Sequence, residues 1–137
     1  MNTATFPGRY DSLASISNFV EEAAKQAGLD QKDTYAVQLA VDEACCNIID
    51  HAYGGEGIGD IQCTIKVGND ALTIVLVDRG RPYSPEKVLP PKLNQPISKV
   101  KPRGVGLYLM RKMMDKVSYE STSESTNILT MVKRRGS

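Results

Sequence analysis

Six of the chain's seven prolines fall within residues 81–103, with Lys87, Lys92, Lys99 and Lys101 set among them. Proline lacks a backbone N–H and fixes its own φ, so this density excludes the stretch from helix interiors and central strands. Regular structure must therefore be assembled from the segments on either side. A loop this long inside a compact chain is usually functional or disordered. With 137 residues in all, the chain fits one domain with a core large enough to be stable alone.

Upstream of the loop, the apolar positions set the elements. Asp11 or Ser12 can cap a helix in which Leu13, Ile16, Val20, Ala23 and Ala27 follow the helical period, and Gly28 is its natural stop. Asp30 can cap a longer helix running to about Tyr53 and ending at Gly54-Gly55. Its apolar stripe is Val37, Val41, Ala44 and Ile48; beside it runs a second row, Leu39, Glu43, Asn47 and His51, four residues apart. In GDIQCTIKV, apolar Ile61, Cys63, Ile65 and Val67 alternate with polar residues, as in a half-buried strand. Gly68-Asn69-Asp70 reads as a tight turn into ALTIVLVD, an almost continuous apolar strand that ends on Asp78.

Downstream, RGVGLYLMRKMMDKV reads as a helix opened by Gly104 and Gly106, with Leu107, Met110, Met114 and Val117 on one side. VSYES and NILTMVKR read as two closing strands. The order is short strand, two helices, hairpin, long loop, helix, hairpin. It predicts an α/β (α+β) two-layer sandwich, with one layer of helices on one face of a mixed, mostly antiparallel sheet.

Bulk properties narrow the function. Net charge is +1 with both signs interspersed, which gives no electrostatic footprint for nucleic acid. No apolar run approaches a membrane span, and the first residues lack a secretory pattern, so a cytoplasmic protein is expected. Cys45, Cys46 and Cys63 form no CxxC pair and read as small buried thiols.

Three groups of residues could carry chemistry. Glu43 and Asn47, at i and i+4, leave one helix face together. A carboxylate in a partly apolar wall can act as a general base. An amide oxygen one turn away can ligate a hard divalent cation already carried by phosphates. Asp78, at a strand exit in DRGRPYSP, can accept a hydrogen bond from an exocyclic amine while Gly80 lets a ring approach the backbone. Gly104 and Gly106 open a helix whose free N–H groups suit phosphate oxygens, with Arg103 beside them. Each pattern alone is common in ordinary helices and turns; their order in one chain is not.

In that order, the chain resembles the Bergerat-fold ATPases, which include gyrase and the histidine kinases. DEACCNIIDHAY resembles the N-box, DRGRPYSP the first glycine box and RGVGLYLMRKMMD the second, and the likeness spans roughly residues 30–134. Within that superfamily it is most similar to the small anti-sigma-factor serine/threonine protein kinases. The resemblance implies a single histidine-kinase-like ATPase domain over residues 1–137, using ATP and Mg²⁺. It implies Glu43 as general base, Asn47 as the Mg²⁺ ligand, Asp78 as acceptor for the adenine amino group and Gly80 beneath the base. Arg103 and the amides of Gly104, Val105, Gly106 and Leu107 would meet the phosphates, and the proline-rich stretch would be the ATP lid. Implied partners are an anti-anti-sigma substrate, a sigma factor and a second copy in a homodimer. Asn127, near the start of the last strand, is a candidate to approach the adenine but is not counted among the site residues.

Two rival readings are consistent with the same boxes. One is a non-catalytic ATP-binding module that switches partners, against which the retained acid at Glu43 argues. The other is a detached histidine-kinase catalytic domain; the sole histidine, His51, lies inside the N-box, which leaves no phosphoacceptor hairpin.

Overall fold

The computed structural model describes residues 1–82, 111–122 and 124–136. Among these, β1 (Asn2–Pro7) is followed by helices α1 (Leu13–Gln26) and α2 (Gln31–Asn47), then β2 (Asp60–Val67) and β3 (Ala71–Asp78). Strands β4 (Lys116–Ser121) and β5 (Asn127–Arg134) close the chain. The sheet runs in the order β1-β2-β3-β5-β4, and all four pairings are antiparallel. The expected sheet is therefore present, with antiparallel pairing throughout the described strands.

Local chemistry explains the helix ends. Asp30 caps α2, its side chain accepting from the Asp33 N–H at 2.8 Å. Gly28 takes φ +77° just past α1, a conformation that costs glycine least. The start of α1 differs from expectation. Ser12 precedes it, but a 3₁₀ turn over Tyr10–Ser12 leads into the helix and no side-chain cap forms.

The helices bury Ile16 and Val20 of α1 and Val37, Val41 and Ala44 of α2. Opposite them lie Ile61, Cys63 and Ile65 of β2, Leu72, Ile74 and Leu76 of β3, and Leu129 and Met131 of β5. The period-two alternation places these on one sheet face, as the sequence predicts. Residues 111–113 are helical, but Asp115 N–H already bonds Val132 O at 2.9 Å. Val117 consequently belongs to β4 rather than to the helix expected to include it, while Met114 is buried. All three cysteines are free and buried, and burial pushes the Cys63 thiol up to about 12. Among the described residues, no helix is long and apolar enough to cross a membrane.

Candidate active site

Helix α2 carries the first two residues. Glu43 is half-buried, with Oε2 out of contact with solvent. Asn47 is fully buried, and among the described residues neither its Oδ1 nor its Nδ2 has a hydrogen-bond partner. A buried amide normally satisfies both groups, because leaving one unpaired costs roughly 1–3 kcal/mol. Asn47 is also the last α-helical residue. Ile48–Ala52 form a π-helical turn, with Tyr53 N–H reaching back to Ile48 O at 2.9 Å. This wider turn breaks the row read from the sequence: Asn47 is buried, while His51, four positions on, is exposed. Asp50 faces the N-terminal segment, where the Tyr10 hydroxyl donates to its carboxylate.

Strand β3 delivers Asp78, buried at its exit. Asp78 Oδ1 accepts from Gly80 N–H at 2.9 Å and from Asn127 Nδ2 at 2.8 Å. Burial raises its carboxyl above the usual range, and these two hydrogen bonds oppose that rise. Asp78 and Gly80 line a cavity of about 720 Å³ with Ala52, Tyr53, Ile58, Asp60, Arg79 and Arg81 among the other walls. Tyr53 braces this wall: its hydroxyl donates to Asp60 O at 2.5 Å and accepts from Arg79 N–H at 3.0 Å.

The strand exit is joined to the helix end by backbone. Arg81 N–H donates to Ala52 O at 2.9 Å, and Arg81 Nε donates to His51 O at 2.9 Å. A Cβ on Gly80 would stand 2.5 Å from Ala52 C and O. Glycine is therefore required at position 80 by contact with the helix, a reason distinct from access for a ring.

The structure thus brings Asp78 and Gly80 together and pins them to the turn that follows Asn47. The 720 Å³ cavity does not extend to Glu43 or Asn47 among its described walls. Arg103, Gly104, Val105, Gly106, Leu107 and the proline-rich stretch from residue 83 onward lie outside the described residues. Asn127 is the residue that sequence reasoning passed over. Its signal was available, because it falls in phase with buried Leu129 and Met131 and is paired with Asp78 across the β3–β5 ladder.

Comparison with known proteins bears on the family and the fold. Residues 6–133 match the family described as "Histidine kinase-like ATPase domain". The serine-protein kinase RsbW of Halalkalibacterium halodurans is 31% identical over 133 residues, covering 94% of this chain and 80% of that protein. RsbW of Bacillus mycoides is 29% identical, covering 94% and 82%. Among solved structures, the catalytic domain of histidine kinase ThkA superposes with a TM-score of 0.56 at 15% identity, covering 98% of this chain and 99% of that one. Histidine kinase AdeS of Acinetobacter baumannii gives a TM-score of 0.53 at 15% identity, covering 100% and 69%. At such identities the two structures attest the fold alone.

Proposed function

The chain belongs to the histidine kinase-like ATPase domain family, alongside the RsbW serine-protein kinases, and on that premise we propose that it is an ATP-dependent protein serine/threonine kinase acting as an anti-sigma factor. On this reading residues 1–137 form one ATPase domain. Its substrate is an anti-anti-sigma protein, and phosphorylation of that antagonist leaves the kinase free to hold a sigma factor, most simply as a homodimer.

The observation that carries the reading is the buried amide of Asn47, unpartnered among the described residues and one helical turn from a half-buried carboxylate. An amide oxygen suits Mg²⁺ because it adds no negative charge beside phosphates. Among the described residues no three His, Cys, Asp or Glu side chains gather, so a cation here would depend on phosphate oxygens for its remaining ligands. The residues present therefore fit a phosphate-borne magnesium ion, held by Asn47 Oδ1. When bound, Mg²⁺ supplies charge that neutralises the phosphate oxygens.

The chain's own residues do the rest. Asp78 accepts a hydrogen bond from the adenine amino group, and the Gly80 backbone supports the base. Glu43 takes the proton from the substrate hydroxyl as its oxygen attacks the γ-phosphorus, the bond from that phosphorus to the β–γ bridging oxygen breaks, and ADP leaves. Arg103 and the amides of Gly104, Val105, Gly106 and Leu107, assigned from sequence, meet the phosphates.

The test is transfer of label from γ-labelled ATP to the antagonist protein. Acid-stable phosphate on a serine or threonine is expected. Glu43→Ala should keep nucleotide binding and lose transfer, while Asn47→Ala should lose Mg²⁺-dependent binding. Transfer at wild-type rates in both variants would overturn these roles.

A further inference from the structure

Asn127 is fully buried and sits directly opposite Asp78 in the β3–β5 register. Its neighbours fix which way the amide points. The Asp78 carboxylate and the carbonyls of Gly80 and Arg81 only accept, so Nδ2 must face them, at 2.8, 2.9 and 3.4 Å. On the other side, Oδ1 accepts from Ser121 Oγ at 2.8 Å, across the β4–β5 pair. Both N–H groups of the amide are thus committed to the protein. Asn127 has no donor left for a ligand and is not among the cavity's described walls, so it does not read a base itself.

Its effect falls on Asp78. Oδ1 of that carboxylate takes both the Asn127 and the Gly80 hydrogen bonds. Oδ2 receives none from the described residues, and Asp78 lines the cavity. We propose that Asn127 is a positioning residue for base selection: it ties down one oxygen of Asp78 so that the other is held ready for the exocyclic amine of an aminopurine. The same amide fixes the Gly80–Arg81 backbone on which the base would rest, and Ser121 fixes the amide. A chain of contacts therefore runs from the β4–β5 hairpin to the base site. This inference rests on the proposed role of Asp78.

The experiment compares Mg²⁺-ADP with the diphosphate of purine riboside, which lacks the 6-amino group, by calorimetry on the full chain. In the wild type ADP is preferred. Asn127→Ala should weaken ADP by about ten- to a hundred-fold, the value of one hydrogen bond to a charged group, and change the purine analogue by about twofold or less. Melting curves check that the variant folds. If it does not, Ser121→Ala decides: this side chain is exposed, and its loss frees the amide to rotate. The ADP preference should then fall by about three- to tenfold, since only the orientation of the amide is relaxed. A folded variant that keeps the wild-type preference, or weakens both ligands equally, overturns the proposal. Asp78→Asn separates the two levels. If it retains the preference, the base-reading role of Asp78 fails and the inference falls with it. If it loses the preference while folded Asn127→Ala keeps it, only the role of Asn127 is wrong.

Discussion

Cutting Asn47 to alanine should stabilise the protein without ligand and forfeit most or all of that advantage over wild type with ligand. Asn47 is fully buried and both amide atoms lack partners among the described residues, so the wild type carries the desolvation cost of an unpaired donor and acceptor. Removing the unpaired amide returns about 1–3 kcal/mol. Alanine is also the better helix former, by about 0.5 kcal/mol. Against this stands a cavity of roughly 30 Å³, about one water's share of volume. At about 24 cal/mol per Å³ it costs about 0.7 kcal/mol. Asn47→Ala should therefore match or exceed wild type by about 1–3 kcal/mol in urea denaturation with EDTA. Ile49→Ala, at an equally buried neighbour, should instead lose about 2–5 kcal/mol. Adding Mg²⁺-ADP at about a hundred times its Kd should raise wild-type stability by about 2.7 kcal/mol and leave Asn47→Ala unmoved. The order of the two proteins then narrows or inverts. A variant that loses more than about 2 kcal/mol in EDTA, as an ordinary buried residue would, refutes the claim that the amide is unpaired in the free protein. One that gains as much from Mg²⁺-ADP as wild type refutes its role as ligand.

Gly80→Ala places a methyl group 2.5 Å from Ala52 backbone atoms, where ordinary contact begins at 3.4 Å. Relieving it must stretch the Arg81–Ala52 hydrogen bond, so a loss of about 2–4 kcal/mol is expected; a loss under about 0.5 kcal/mol in urea denaturation would show that the contact is soft. Lys133 donates to Met113 O at 2.9 Å and lies 3.9 Å from Asp33 Oδ1, with both side chains under a tenth exposed. Lys133→Met should cost about 3–5 kcal/mol by stranding a buried acid, and Asp33→Ala added to it should restore much of that loss. Equal stability of the single and double variants would remove the pair from the account. The Asp78 carboxyl is raised by burial, so its folded form binds a proton more readily than its unfolded form. Relative to Asp78→Asn, wild-type stability should be greatest below the ordinary value of 3.8 and fall as pH rises through the folded titration. A difference that grows over that range in pH-dependent denaturation would reverse the assigned cause.

Where the sequence is legible, one local rule decides the outcome. The alternation in β2 and the apolar run of β3 match the observed strands because a single buried face dictates a period of two. Asp30 and Gly28 mark helix ends by chemistry confined to one turn. The features that escaped notice depend on partners far away in the chain. The start of α1 is shaped by the segment before it, where Tyr10 N–H bonds Glu56 and its hydroxyl bonds Asp50. The π-helical turn has no signature within Ile48–Ala52. Its carbonyls are taken by Tyr53 and Arg81, and the latter lies about thirty residues on. Asn127 looks like a polar interruption of a strand until its pairing with Asp78 is known.

The same distant contacts explain why the site is read in pieces from sequence and as a unit from structure. Glu43 and Asn47 are related by helix geometry, and Asp78 and Gly80 by adjacency, but nothing in the chain's order relates one pair to the other. That relation is made by backbone atoms, Arg81 N–H on Ala52 O and the close approach that the lack of a side chain at Gly80 allows. A backbone joint of this kind fixes the distance between the Asp78 carboxylate and the Asn47 amide more tightly than a side-chain contact, since it has no rotamers to relax into. Glycine at position 80 is thus demanded by architecture whatever lies in the cavity. Its presence in a motif is evidence for the joint first, and for a nucleotide only through the residues that the joint brings into register.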